Sequence, residues 1–296
     1  MDDLSLLIST SDSVALVGES GCGKSLTALA ILHLLDGTGI KVTGNVLWRG
    51  KEVYQLSSKE LHQYRGGEVA IIFQEPMTAL NPVIRCGKQI KEVLKIHNYG
   101  NDDNTGRVMD LLQRVRLPDP AEVYKSYPHE LSGGMRQRVL IAMAIAGNPK
   151  LLIADEPTTA LDVTVQSQII DLLFDLQKDN DMSVLFITHD LSIVDAIAER
   201  LVIMYAGQIV EEGKAQSVLN NPLHPYTRAL LKCAPSLEEK KRKLSTIPGS
   251  VPQPGEYPSG CRFHPRCDIT YEECIKLEPT LDRITDRDVR CPYAIK

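Results

Sequence analysis

Apolar positions along this chain gather into short uninterrupted runs: Val14 to Val17, Val69 to Phe73, Leu151 to Ala154, Val184 to Thr188 and Leu201 to Met204. A strand covered on both faces has no polar side, so such runs predict buried strands of an α/β sheet, with helical segments between them. From about Gln89 to Gly147 no such run occurs, while Val108 to Val115 and Met135 to Ala146 repeat at helical spacing, which predicts a helical insert. After Leu231 the pattern changes to a charged run (Glu238 to Lys243), a proline-rich stretch (Pro248, Pro252, Pro254, Pro258) and a group of cysteines. The change predicts a small Cys-rich C-terminal extension. The expected division is residues 1–232, with the helical part at about 87–148, followed by residues 233–296.

Composition narrows the function classes. With 296 residues, 43% hydrophobic and 24% charged, the chain is large enough for a substantial core and is not of disordered type. A net charge of -5 supplies no overall basic footprint for nucleic acid, so no nucleic-acid partner is expected. The longest apolar stretch, Leu26 to Leu35, is interrupted by His33 and falls short of the ~18 to 20 residues that cross a bilayer. Any membrane link must then run through a partner. Met1-Asp2-Asp3-Leu4 has none of the features of a secretory signal, so a cytoplasmic location with reduced thiols is expected.

Gly18-Glu19-Ser20-Gly21-Cys22-Gly23-Lys24-Ser25 fits the pattern GxxxxGK[ST] between a predicted strand and a helical run. Glycines let the backbone curl so that successive N–H groups converge on phosphates, and the helix N-terminus adds positive potential. Lys24 is suited to neutralise the β and γ phosphates and the Ser25 hydroxyl to ligate Mg²⁺. Leu151-Leu152-Ile153-Ala154 then ends in Asp155-Glu156. Alone, an acidic pair after a strand is most simply a helix cap. Beside a phosphate loop it reads as a metal carboxylate and a base facing water.

Leu131-Ser132-Gly133-Gly134-Met135-Arg136-Gln137-Arg138 resembles the signature motif of ABC ATPases, and Val14 to about Gly213 follows that family's order. The resemblance implies a P-loop NTPase (RecA-like) core with a helical signature subdomain, Mg-ATP as ligand, and ATP hydrolysis. By the same resemblance Gln74 is the Q-loop glutamine that senses Mg²⁺, Asp155 the Mg²⁺ carboxylate and Glu156 the general base. Ala160-Leu161-Asp162 looks like the D-loop, and His189 like the switch histidine at the γ-phosphate. Ser132, Gly133, Gly134 and Met135 would meet ATP held by an opposing subunit, which implies a homo- or heterodimer of ATPase subunits.

Longer matches narrow the branch: Glu75 to Pro82, Tyr127 to Glu130, Leu161 to Gln166 and Asn221 to Thr227 are similar to the dipeptide/oligopeptide importer ATPases, with Met135 as in their D-type subunit. That resemblance implies two transmembrane permease subunits, an extracytoplasmic peptide-binding protein upstream, and a peripheral site on the cytoplasmic face of the membrane. Relatives of this kind begin with a strand and an adenine-stacking aromatic, located before the segment that resembles Asp2 to Ser13, so weak adenine stacking is expected here. Cys261, Cys267, Cys274 and Cys291 are separated by five, six and sixteen residues, with no pair at the close spacing of structural zinc. Spacing and resemblance together favour a 4Fe-4S cluster, with Zn²⁺ or unligated thiols as alternatives, serving as a staple or a redox sensor. Competing readings are an importer of another solute such as a metal chelate, a DNA-repair or translation ATPase, and a non-transport ATPase with a redox-sensing tail.

Overall fold

The computed structural model describes residues 1–97, 104–159, 161–233 and 246–294. The charged run Glu238 to Lys243 therefore lies outside the described residues. From the N-terminus come β1 (Ser13–Val17), α1 (Lys24–Ile31), β2 (Leu47–Trp48), β3 (Lys51–Glu52), α2 (Ser58–Gln63), β4 (Val69–Ile72) and α3 (Pro76–Ala79). Four helices follow: α4 (Cys86–Ile96), α5 (Thr105–Arg114), α6 (Pro120–Lys125) and α7 (Gly133–Ile145). Next are β5 (Leu151–Asp155), α8 (Val163–Asn180), β6 (Ser183–Thr188), α9 (Val194–Ile197), β7 (Arg200–Tyr205) and β8 (Gln208–Lys214). The chain closes with α10 (Ala215–Asn220), α11 (Pro225–Cys233), α12 (Glu272–Lys276), β9 (Asp282–Ile284) and β10 (Arg287–Val289).

Two compact units result, one of residues 9–12 and 27–185, the other of residues 1–8, 13–26 and 186–296. In the first, β4 runs parallel to β5, with Val69 opposite Leu151 and Ile72 opposite Ala154. Every residue of β5 is buried, as its apolar run predicts. The stretch with helical spacing is occupied by α4 to α7. Helix α4 buries Cys86, Gln89, Ile90 and Leu94, and α5 buries Val108, Leu111 and Leu112, each set lying on one face at helical period.

In the second unit β1 runs parallel to β7, with Val14 opposite Arg200 and Val17 opposite Ile203. β7 turns through Ala206 and Gly207, both at positive φ (44° and 81°), into antiparallel β8. A two-residue turn of this kind matches the twist of paired strands. β10 adds to β8, with Val289 opposite Glu211, and β9 adds to β10. No apolar run announces β8, because Glu211 is fully buried in it and is paired with Arg287 Nη1 at 3.4 Å. Glu211 also accepts the backbone N–H groups of Leu223 and His224, each at 2.9 Å, so its charge is fully ligated inside.

The extension does not pack as an appendage without a core. Phe263 is buried with Val17 of β1, Ile203 and Tyr205 of β7, and Tyr226 of α11 in a single apolar cluster. Its ring centroid lies 5.2 Å from that of Tyr205 and 5.3 Å from that of Tyr226. Among the described residues no helix is long and apolar enough to cross a membrane.

Truncation of Phe263 to alanine removes a ring shared by β1, β7 and α11 and is expected to cost about 3 to 5 kcal/mol. Denaturant unfolding measures the loss. Hydrogen exchange should show faster opening of the β7 amides together with residues 261–267, whereas a loosely attached tail would change alone.

Candidate active site

The phosphate-loop motif starts where the burial of β1 ends. Gly18 is held so tightly that a Cβ there would lie 2.2 Å from the Met204 carbonyl oxygen and 2.7 Å from Cys22 Sγ, so no other residue fits. The loop exposes Ser20, Gly21 and Ser25 while burying Cys22 and Lys24. Lys24 Nζ donates to the carbonyls of Gly18 (2.7 Å) and Glu19 (3.2 Å), which folds the ammonium back over the loop at the start of α1. Burial raises the Cys22 thiol pKa, partly offset by the neighbouring Lys24 charge, so this cysteine is a protonated, small apolar filler. The Glu19 backbone N–H donates to the Tyr226 hydroxyl at 3.0 Å, and its carboxylate accepts from both terminal nitrogens of Arg266 at 2.8 and 2.9 Å. In the same unit, His189 directly follows the fully buried β6 residues and is exposed. Asp190 caps the next turn by accepting the Ser192 N–H at 2.8 Å, which fixes the backbone on the far side of His189.

In the other unit the register of β4 on β5 places Gln74. Ile72 pairs with Ala154, so the residues just beyond both strands emerge side by side. Gln74 Nε2 donates to Glu156 Oε2 at 2.9 Å, and Thr159 Oγ1 donates to the same oxygen at 2.9 Å. Glu156 sits in left-handed backbone (φ 46°), directly after buried Asp155. Two donors on one carboxylate oxygen set the rotamer of Glu156. Thr159 carries no motif that sequence reading could have used.

Ser132 is the N-cap of α7, its hydroxyl accepting the Met135 N–H at 3.3 Å. Ser132 and Gly133 are exposed, so the capped helix end presents a hydroxyl and backbone donors to solvent. A Cβ on Gly134 would lie 2.8 Å from Val165 Cγ1, on the first turn of α8. That turn is itself capped by Asp162, which accepts the Val165 N–H at 2.9 Å. Of the expected D-loop, Ala160 lies outside the described residues.

Cys261, Cys267, Cys274 and Cys291 line one cavity with His224, Phe263 and Tyr293. All four are free thiols. Burial, reinforced by the other thiols, pushes Cys261 up to about 11 and Cys291 up to about 12. Among the described residues no group of three or more His, Cys, Asp or Glu is arranged to hold a metal ion.

Phosphate-binding and carboxylate chemistry, together with a serine-capped helix bearing two glycines, define a nucleotide-hydrolysing cassette of the ABC class. The profile of the family described as "ABC transporter" matches residues 1–159, and that described as "Oligopeptide/dipeptide transporter, C-terminal region" matches residues 210–274. A putative peptide import ATP-binding protein of Brucella abortus is 47% identical over 99% of this chain and 88% of its own length. The dipeptide transport ATP-binding protein DppD of Escherichia coli K12 is 46% identical over 100% of this chain and 91% of its own length. Among solved structures, the ATP-binding cassette MJ0796, a dimer in a post-hydrolysis state with ADP and Pi, aligns with a TM-score of 0.59 at 27% identity, covering 71% of this chain and 88% of that one. The chain belongs to the ABC transporter family, as an ATPase whose C-terminal region is that of the oligopeptide/dipeptide transporters.

The approach of the signature glycine to α8 gives a direct test. Gly134→Ala must displace Val165 and is expected to lower stability by about 1 to 3 kcal/mol. Adding Val165→Ala should restore part of it, measured by thermal denaturation of both variants.

Proposed function

We propose that this chain powers the import of di- and oligopeptides through a membrane ABC transporter. The observation that carries the catalytic half of this reading is the hydrogen bond from Gln74 to Glu156, which joins the segments that follow the paired strands β4 and β5. In this reading Glu156 orients the attacking water and takes its proton, and His189 holds the γ-phosphate. The loop Gly18, Glu19, Ser20, Gly21, Cys22, Gly23, Lys24 and Ser25 binds the phosphates through its backbone and the Lys24 charge. Carboxylate, hydroxyl and amide carbonyl oxygens are hard donors that suit Mg²⁺, so Asp155, Ser25 and Gln74 are the residues to hold it. When bound, Mg²⁺ neutralises phosphate charge. Ser132, Gly133, Gly134 and Met135 contact ATP on an opposing subunit, and the similar cassette MJ0796 is itself dimeric.

The substrate class rests on likeness to relatives described as peptide import and dipeptide transport proteins. It brings with it the proposed partners: a second ATPase subunit, two transmembrane permeases and an extracytoplasmic peptide-binding protein, with this chain peripheral on the cytoplasmic face. In functional terms residues 1–232 form the nucleotide-binding part, with a helical subdomain at about 87–148 on a RecA-like core, and residues 233–296 the Cys-rich extension. We also propose that Cys261, Cys267, Cys274 and Cys291 hold a 4Fe-4S cluster, because four thiols around one cavity suit a multi-atom cluster better than a single ion. Bound, the cluster would cross-link four thiolates and remove the cost of their burial.

Glu156→Gln keeps the size of the side chain and an oxygen for Gln74 while removing the base. Mg-ATP affinity should persist while turnover falls by at least about 100-fold. A variant that hydrolyses ATP near the native rate would remove Glu156 from this role.

Anaerobically purified protein should carry about four irons and four sulfides per chain, and any one Cys→Ser change at the four positions should deplete both. One zinc without sulfide, or four thiols that alkylate readily in the native protein, would reject the cluster.

A further inference from the structure

The turn between Cys261 and Cys267 belongs to the extension, yet one of its side chains ends on the phosphate loop. Arg266 projects from this short turn (His264–Arg266), and its guanidinium donates Nη1 to Glu19 Oε2 at 2.8 Å and Nη2 to Glu19 Oε1 at 2.9 Å. The fork-on-fork pair is nearly dry, with the Arg266 side chain 5% exposed and that of Glu19 28%. The remaining donor capacity is also used: Nε donates to the Pro248 carbonyl at 2.8 Å and Nη2 to that of Ile247 at 3.3 Å. These two carbonyls, with the Tyr205 hydroxyl 3.4 Å from Nη1, fix the plane of the guanidinium before Glu19 is considered.

Glu19 is gripped from its backbone as well. Its N–H donates to the Tyr226 hydroxyl, and the Tyr226 N–H donates to His224 Nδ1 at 3.0 Å. Burial lowers the His224 pKa to about 3, so this imidazole stays neutral and can accept. Tyr226 packs on Phe263, three residues before Arg266. The residue that follows the first glycine of the loop is therefore held at its main chain by Tyr226 of α11 and at its side chain by Arg266, and the two segments pack on each other through Phe263.

A carboxylate in a loop built to attract phosphate opposes its own ligand, since like charges at short range in a partly dry site repel strongly. A bidentate arginine neutralises that charge and fixes its position, which a lysine, with a point charge, does less well. We propose that Arg266 is a positioning residue of the phosphate loop, whose pair with Glu19 lets the cysteine-bearing segment set the affinity for Mg-ATP. The inference rests on the assignment of Gly18 to Ser25 as the ATP loop, which a separate variant tests.

The experiment titrates Mg-ATP and Mg-ADP into the full-length chain and its variants at fixed ionic strength, with thermal midpoints measured in parallel. Arg266→Ala should weaken Mg-ATP by about ten-fold, because it strands a carboxylate beside the phosphates, and Mg-ADP, with less charge, by less. Arg266→Lys should fall between. Adding Glu19→Gln to Arg266→Ala should recover most of the ATP affinity, because the stranded charge is gone even though the bridge is not rebuilt.

Wild-type ATP affinity in Arg266→Ala, with Lys24→Ala still abolishing binding, would overturn the inference alone. Wild-type affinity in Lys24→Ala would overturn the loop assignment and the inference with it. Equal ATP losses in Arg266→Ala and the double variant, matched by equal falls in thermal midpoint, would mark a bridge that only holds the fold and would also overturn it. If Arg266→Ala does not fold, Arg266→Lys and Arg266→Lys with Glu19→Gln are compared by the same criteria.

Discussion

The fixed register of fully buried strands is the constraint on which the chemistry depends. A strand covered on both faces cannot slip without drawing the polar residues at its ends into the interior, so those residues are held in place. β1, β5 and β6 are buried at every position, and the proposed site residues stand where that burial stops: Gly18 after β1, the Asp155-Glu156 pair at the end of β5, and His189 after β6.

Close backbone approach does the rest. Gly18 lies against the carbonyl of Met204 in β7, and Gly134 against Val165 in α8, contacts that a methyl group would break. Ser132 and Asp162 cap the two helices on either side of the second contact, so that their free N–H groups point outward in defined directions. Hydrogen bonds then select rotamers. Gln74 and Thr159 both donate to one oxygen of Glu156, and two loop carbonyls hold Lys24.

The C-terminal residues are integrated by the same means. β10 continues the sheet through β8, Phe263 shares the core of β1 and β7, and Arg290 reaches the Ile209 carbonyl at 2.9 Å. A segment with so few apolar residues of its own gains order by adding to a core that already exists. The thiol-lined cavity is thereby fastened to the strand that precedes the phosphate loop, and Arg266 completes the connection by a direct charge pair with Glu19.

Contiguous chemistry was legible in the chain alone. The five apolar runs, the helical stretch, the glycine-rich loop, the acidic pair and the signature segment each depend on neighbours a few residues away, through burial on both faces, φ permissiveness or capping. Strands with mixed composition were not legible: β8 carries its buried charge, Glu211, as a polar residue in sequence, and only Arg287, distant in the chain, makes that burial possible. Partnerships across long separations were likewise silent. Gln74 and Glu156 stand 82 residues apart and Glu19 and Arg266 stand 247 apart, and no local pattern encodes either pair. The spacing of the four cysteines suggested a common ligand, but only the packing of the extension brings them around one cavity. Local backbone and burial rules act over a few residues and are written in order along the sequence, whereas hydrogen-bond partners and cavity walls are chosen by close packing, which exists only once the chain has folded.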